Sequence, residues 1–299
     1  MLLKNYYMDK LFNLFFGDRS RFLIEKYIIN ISIISFLLHL ILIIISKYQF
    51  IRLEGELFNN PLAAIYTPFS FILVYEVYLL IFYLPQSFTY CLSKQFEIIT
   101  LIVFRRFFKD ISNLDLSIGN ITIFENIDIF YDLIASLILF LLVFYFKKNV
   151  KRKNIKDEKI SSDLKTFIYR KKALSIVLFP IFIYMALTSF ANWSNDFISN
   201  NYMTTSSNIN HIFFEDFFTF LIFIDVIILL LSFYFKNNFH KIIRNSGFIV
   251  STIIIRISFA LTGIMNLALL VTSLLIGIIV LKIHNMFVNE NISIESQKT

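Results

Sequence analysis

The feature that most constrains this chain is a succession of apolar stretches, each about as long as a bilayer is thick. A helix crossing the hydrocarbon core needs about 20 mainly apolar residues, and runs of that kind occupy residues 27–47, 66–85, 93–111, 129–147, 173–193, 212–235, 247–264 and 265–284. In lipid every backbone N–H and C=O has to be satisfied within the protein, so such runs read as helices. The expected fold class is all-α: a polytopic integral membrane protein of about eight transmembrane helices. The third run is the weakest, because Arg105, Arg106 and Lys109 crowd its end. A re-entrant or interfacial helix is its alternative.

Bulk composition points the same way. Mean hydropathy is +0.70, with 57% apolar and 16% charged residues, a bilayer balance rather than that of a soluble domain. The 37 Phe and 15 Tyr come with many Ile, Asn and Lys, the look of an AT-rich coding sequence, and by themselves signal no cofactor. The net charge of +7 sits largely between the apolar runs, where it sets topology, so nucleic acid is not an expected partner. Cys91 is the sole cysteine. An intramolecular disulfide and a metal site built of cysteines are therefore ruled out.

Charge in the connections gives an orientation. Lys4, Lys10, Arg19, Arg21 and Lys26 precede the first run, and residues 147–172 carry eleven basic against three acidic side chains. Both segments are expected on the cytoplasmic side. The regions around Asp115, Glu125 and Asp128, and from Asn195 to Asn210, hold no Lys or Arg and are expected outside, while Lys236, Lys241 and Arg244 bring the next turn back in. This alternation holds only if 93–111 crosses. The expectation is a multi-pass protein of the cell (inner) membrane with both termini cytoplasmic. It comprises an amphipathic N-tail at 1–26, a first four-helix unit at 27–147, a basic linker at 148–172, a second four-helix unit at 173–285 and a C-tail at 286–299. No cleavage site of small residues follows the first run, which is expected to stay as an anchor.

One hairpin pattern recurs, altered, near the C-terminus. Thr67–Ile111 and Glu215–Leu261 align through Phe69, Ser70 and Phe71 on Phe218, Thr219 and Phe220, which sets Glu76 on Asp225. With a one-residue slip in the turn, Lys94 falls on Arg244 and Arg106 on Arg256. Because four crossings return a chain to its starting side, the two units would be parallel repeats, related by an axis along the membrane normal.

Ionisable groups at membrane depth face protein or water and find partners. Glu76 and Asp225 lie near the centres of their runs, and Arg256 is close to the middle of the neighbouring one. Asp225 with Arg256, and Glu76 with Arg105 or Arg106, are thus the candidate ion-path or switch pairs. His39, Glu97 and Asp132 are candidates for extending a polar path. Lys151, Arg152 and Lys153 of the linker are candidates for binding anionic lipid or partner proteins. The competing reading of the buried charges is a set of ion pairs that merely fix helix register.

Several chemistries lack their motifs. Of the four histidines only His39 is well inside a run, which does not suit a membrane haem held by two facing histidines. No P-loop, GxSxG or HExxH occurs, and no cofactor or metal is expected. With only 6 Gly, close glycine contacts are not expected to be the main packing device. Pro180 falls inside a run, where it can kink the helix. The expected function is non-enzymatic ion or proton handling, as a channel or carrier. The alternative is a membrane scaffold or a subunit of a larger membrane complex.

Overall fold

The computed structural model describes residues 2–48, 61–112, 127–150, 162–198, 205–235, 239–261 and 263–296. Helix is the regular structure throughout them: α1 (Leu2–Phe16), α2 (Asp18–Lys47), a short 3-10 turn (Pro61–Ile65), α3 (Tyr66–Tyr83), α4 (Phe88–Ser112), α5 (Ile127–Asn149), α6 (Ser162–Ile198), α7 (Thr205–Phe235), α8 (Phe239–Ser258) and α9 (Gly263–Ser296). Each of the eight apolar runs lies in or overlaps its own helix. Lys151, Arg152 and Lys153 lie outside the described residues.

Five segments are long and apolar enough to cross a membrane: Tyr7–Lys47 (α1 end and α2), Ile129–Asn149 (α5), Lys165–Thr188 (α6), Phe217–Tyr234 (α7) and Gly263–Glu290 (α9). This is three fewer than the runs in the sequence suggest, and the reason is physical. Helix α3 is apolar over Thr67–Tyr83 but short, while α4 and α8 carry too many polar and charged groups. In α8 those groups lie on one side: Asn245, Thr252 and Arg256 are buried together with Phe248, Ile249 and Ile255. Ile243, Val250 and Ile257, spaced every seventh residue, form an exposed apolar edge. Such a helix is polar inward and apolar outward, the reverse of a helix on a soluble protein.

Contacts between helices show how they run. Arg21 Nη1 donates to Tyr83 Oη at 3.1 Å while His39 meets Thr67, so α2 and α3 are antiparallel. Phe96 on Phe146 with Arg106 on Asp132 makes α4 and α5 antiparallel. Phe182 on Phe217 with Arg170 over Tyr234 does the same for α6 and α7, and Ser232 near Asn245 with Phe218 on Phe259 for α7 and α8. From α2 to α9 each helix reverses the direction of the one before.

Helices α8 and α9 are joined along their length. Ser251 Oγ donates to the Ser273 carbonyl at 2.7 Å, Asn266 bonds the Ser258 carbonyl, and Gly247 lies so close to α9 that an added Cβ would stand 2.6 Å from Val280 Cγ2. Gly277 faces α4 in the same way, with Phe96 Cζ at 2.8 Å from the position of a Cβ. Scarce as they are, two of the glycines therefore mark close approaches. The turn between the helices ends at Gly263, whose φ of 63° suits a residue without Cβ.

Helix ends differ from the sequence expectation. Ser162–Lys172, expected as part of a polar linker, is the first part of α6, because Phe167, Lys171, Ser175, Leu178 and Phe182 recur at helical spacing and are all buried. Likewise α9 continues to Ser296, through most of the expected C-tail. Helix α8 ends at Ser258 and α9 begins at Gly263, so the last two runs part before 264. Pro180 sits inside α6 without ending it. Helix α1 turns off α2 at Gly17, whose ψ of 154° is extended, and buries Phe16 against Tyr78 and Phe179.

Candidate functional site

Both hairpins bring their acid and arginine together. Arg105 Nη1 stands 2.9 Å from Glu76 Oε2, and Arg256 Nη1 2.7 Å from Asp225 Oδ2, with all four side chains at most 10% exposed. The first pair forms because α3 and α4 leave a tight turn at Leu84–Ser87 and run back along one another, which also lets Arg105 donate to the Phe69 carbonyl at 3.0 Å. The second forms the same way across α7 and α8, where Thr252 Oγ1, one turn before Arg256, donates to Asp225 Oδ2 at 3.0 Å.

The partner of Glu76 is thus Arg105 and not Arg106. A step of one residue turns a helix by about 100°, and it carries Arg106 to another side of α4. There its Nε and Nη2 form a two-point bond to Asp132 of α5, and Nη2 also donates to Asn266 Oδ1 of α9 at 2.8 Å. The structural counterpart of Arg256 is accordingly Arg105, and the turn carries a two-residue slip rather than one. Asp132 thus belongs to a separate ion pair that joins α4, α5 and α9.

Neither hairpin pair is closed by aligned hydrogen bonds. Glu76 Oε2 and Arg256 Nη1 are both within ion-pair distance of their partners, yet neither completes a hydrogen bond. Their attraction is chiefly coulombic, with less directional restraint than a forked arginine–carboxylate contact supplies.

The remaining candidates separate. Glu97 is shared by Lys94 at 3.0 Å and Lys147 at 2.9 Å near the other end of α4, away from Glu76. His39 bonds Thr67 where α2 meets the start of α3. Among the described residues no three His, Cys, Asp or Glu side chains come together as a metal site.

One buried cation escapes a reading of the sequence. Lys171, 2% exposed, donates to the Gln86 carbonyl at 2.6 Å, with the Phe88 ring centroid 4.9 Å from its ammonium. It lines a cavity of about 20 Å³ together with Cys91, Gln95, Asp225 and Thr252. That is space for about one water molecule, and Gln95, Lys171, Asp225 and Thr252 are the polar groups of a lining that is otherwise mainly apolar. The cavity lies where the α3–α4 hairpin, α6 and the α7–α8 hairpin meet, and it sets the Asp225–Arg256 pair opposite a second positive charge. The only signal of Lys171 in the sequence is its helical spacing from Phe167 and Ser175.

No protein-family model, curated protein or solved structure matches the chain.

Proposed function

We propose that this chain is a non-enzymatic ion- or proton-handling membrane protein, a channel or carrier, in which the buried acid–arginine pairs respond to protonation or to a passing ion. One observation carries the reading. Each of two hairpins at membrane depth holds a buried acid against a buried arginine without an aligned hydrogen bond, and one of these pairs borders a water-sized cavity that Lys171 also lines. A pair kept only for register would be expected to satisfy its hydrogen bonds fully, since an unsatisfied buried charge is costly. Protonating either acid would remove its attraction for the arginine and favour a different packing of the hairpin.

The same proposal includes eight crossings in two parallel four-helix repeats, in the cell (inner) membrane with both termini cytoplasmic. Its support is the strict alternation of direction from α2 to α9, the inward-facing polar groups of α4 and α8, and packing between corresponding helices, α4 on α8 and α5 on α9. The basic residues Lys147, Lys148, Arg170, Lys241 and Lys282 gather at one end of the bundle, as cytoplasmic ends do.

The test is ion and proton flux into liposomes holding purified protein, with and without an imposed voltage. Wild type is expected to conduct, and the folded Glu76→Gln, Asp225→Asn double variant to lose the flux. Flux unchanged in the double variant would remove the acids from the path, and no flux in wild type at any voltage or pH would return both pairs to a structural role.

A further inference from the structure

Arg105, Arg106 and Arg256 each meet a carboxylate. Arg244 of α8 does not. Its Nη2 donates to Asn245 Oδ1 at 3.0 Å and its Nη1 to His284 Nε2 of α9 at 3.0 Å, and it leans on the Phe248 ring. Among the described contacts of Arg244 there is no carboxylate, and Glu290, six residues on from His284 along α9, takes part in an interaction of its own. His240 stacks on His284 with ring centroids 5.2 Å apart, Lys241 follows on α8, and Lys282 of α9 lies over Tyr145 of α5. The nearest described carboxylate on α4 and α5, Glu97, is already shared by Lys94 and Lys147. His284 is nine-tenths buried, and its Nδ1 completes no hydrogen bond.

The position of this cluster along the membrane normal is set by Asp225 and Thr252. Asp225 is at the middle of the apolar segment Phe217–Tyr234, and Thr252, which bonds it, shares its depth, in register with Phe218 on Phe259 and Ser232 near Asn245. Along α8, Lys241 precedes Thr252 by about 16 Å and Arg244 by about 12 Å. Half of a hydrocarbon core is about 15 Å, so Lys241 stands at the level of the headgroups and Arg244 one turn deeper, within reach of them through its long side chain. The first turn of α8, which has no acidic side chain to offset its free N–H groups, opens at the level of Lys241.

We propose that the end of the bundle formed by α8 and α9 is a binding site for the phosphate of an anionic lipid headgroup, contacted by Arg244 and Lys241 and flanked by His240 and Lys282. An anion there supplies the counter-charge that the protein withholds. At the start of α8, burial followed by the charges of Lys241 and Arg244 lowers His240, as expected where positive charge is gathered. The site is independent of any flux through the acid–arginine pairs.

Binding of a fluorescent short-chain phosphatidylglycerol to the full-length protein in neutral detergent tests this, with phosphatidylcholine and inorganic phosphate as competitors. Wild type is expected to bind the anionic lipid, and neither competitor at equal concentration to displace it. Lys241→Gln with Arg244→Gln is expected to weaken binding about fivefold per charge removed. Should the Arg244 change disturb folding, Lys241→Gln with Lys282→Gln leaves the packed guanidinium in place and is expected to weaken binding by a similar factor. Neutralising exposed Lys10 and Lys26 is expected to leave it unchanged. Equal binding by wild type and the α8–α9 variants, or equal loss in the Lys10, Lys26 control, would overturn the site. Displacement by inorganic phosphate would overturn the lipid as its source.

Discussion

Removing Arg256 alone and removing it together with Asp225 probe different quantities. The single change Arg256→Gln leaves a carboxylate in the bundle with Thr252 as its remaining bonded partner, and it is expected to cost about 3–5 kcal/mol of stability. The double change with Asp225→Asn removes both charges, and a good part of that loss should return. A double-mutant cycle by denaturant unfolding in detergent measures the difference. A double variant no more stable than the single one would mean that the pair is not coupled as its 2.7 Å contact implies. At this scale the sequence reveals isolated charges well, because Glu76, Asp225 and Arg256 stand alone in apolar surroundings. It reveals adjacent and clustered charges poorly. Arg105 and Arg106 differ only by the turn of a helix, and Lys171 is hidden in a run of basic residues although its ammonium is among the most buried charges in the protein.

At the scale of the helix, packing at α9 depends on two absent side chains. Gly277→Ala would set a Cβ 2.8 Å from Phe96 Cζ, and Phe96 cannot retreat, being fully buried edge-on against Phe146 at 5.1 Å. The substitution is expected to destabilise by about 1–3 kcal/mol. Phe96→Leu in the same chain should relieve part of it, so the two changes together should cost less than their sum. Thermal unfolding of the four proteins checks this, and strict additivity would deny the contact. The existence and type of the helices could be read from hydrophobic length alone. Their ends could not, since Lys, Asn and Glu continue a helix as readily as they leave it, as α6 and α9 do over residues expected to be linker and tail.

For the molecule as a whole, the alternation of eight helices makes a topological prediction. Reporter tags at Lys156 and after Ser296 are expected to react from the same side of the membrane as the N-terminus, and a tag at Asn120 from the other. Labelling of tags at Asn120 and Lys156 from one side would show that α5 does not cross. The repeated acid and arginine of the two hairpins were legible in the sequence, whereas the joint at Lys171 and the cavity arises only when three segments distant in sequence are brought together. Helix α6 itself has a mechanical consequence. Its 37 residues make a rod of about 55 Å, well beyond the roughly 30 Å of a hydrocarbon core. The arm from Pro180 back to Ser162 is about 27 Å long, so a bend of about 10° at the proline swings its tip by roughly 5 Å. Lys171 rides halfway along that arm, and Lys172 ties it to Asp9 of α1 at 2.7 Å. The helix is a lever whose fulcrum is Pro180 and whose handle carries Lys171 into the joint between the hairpins.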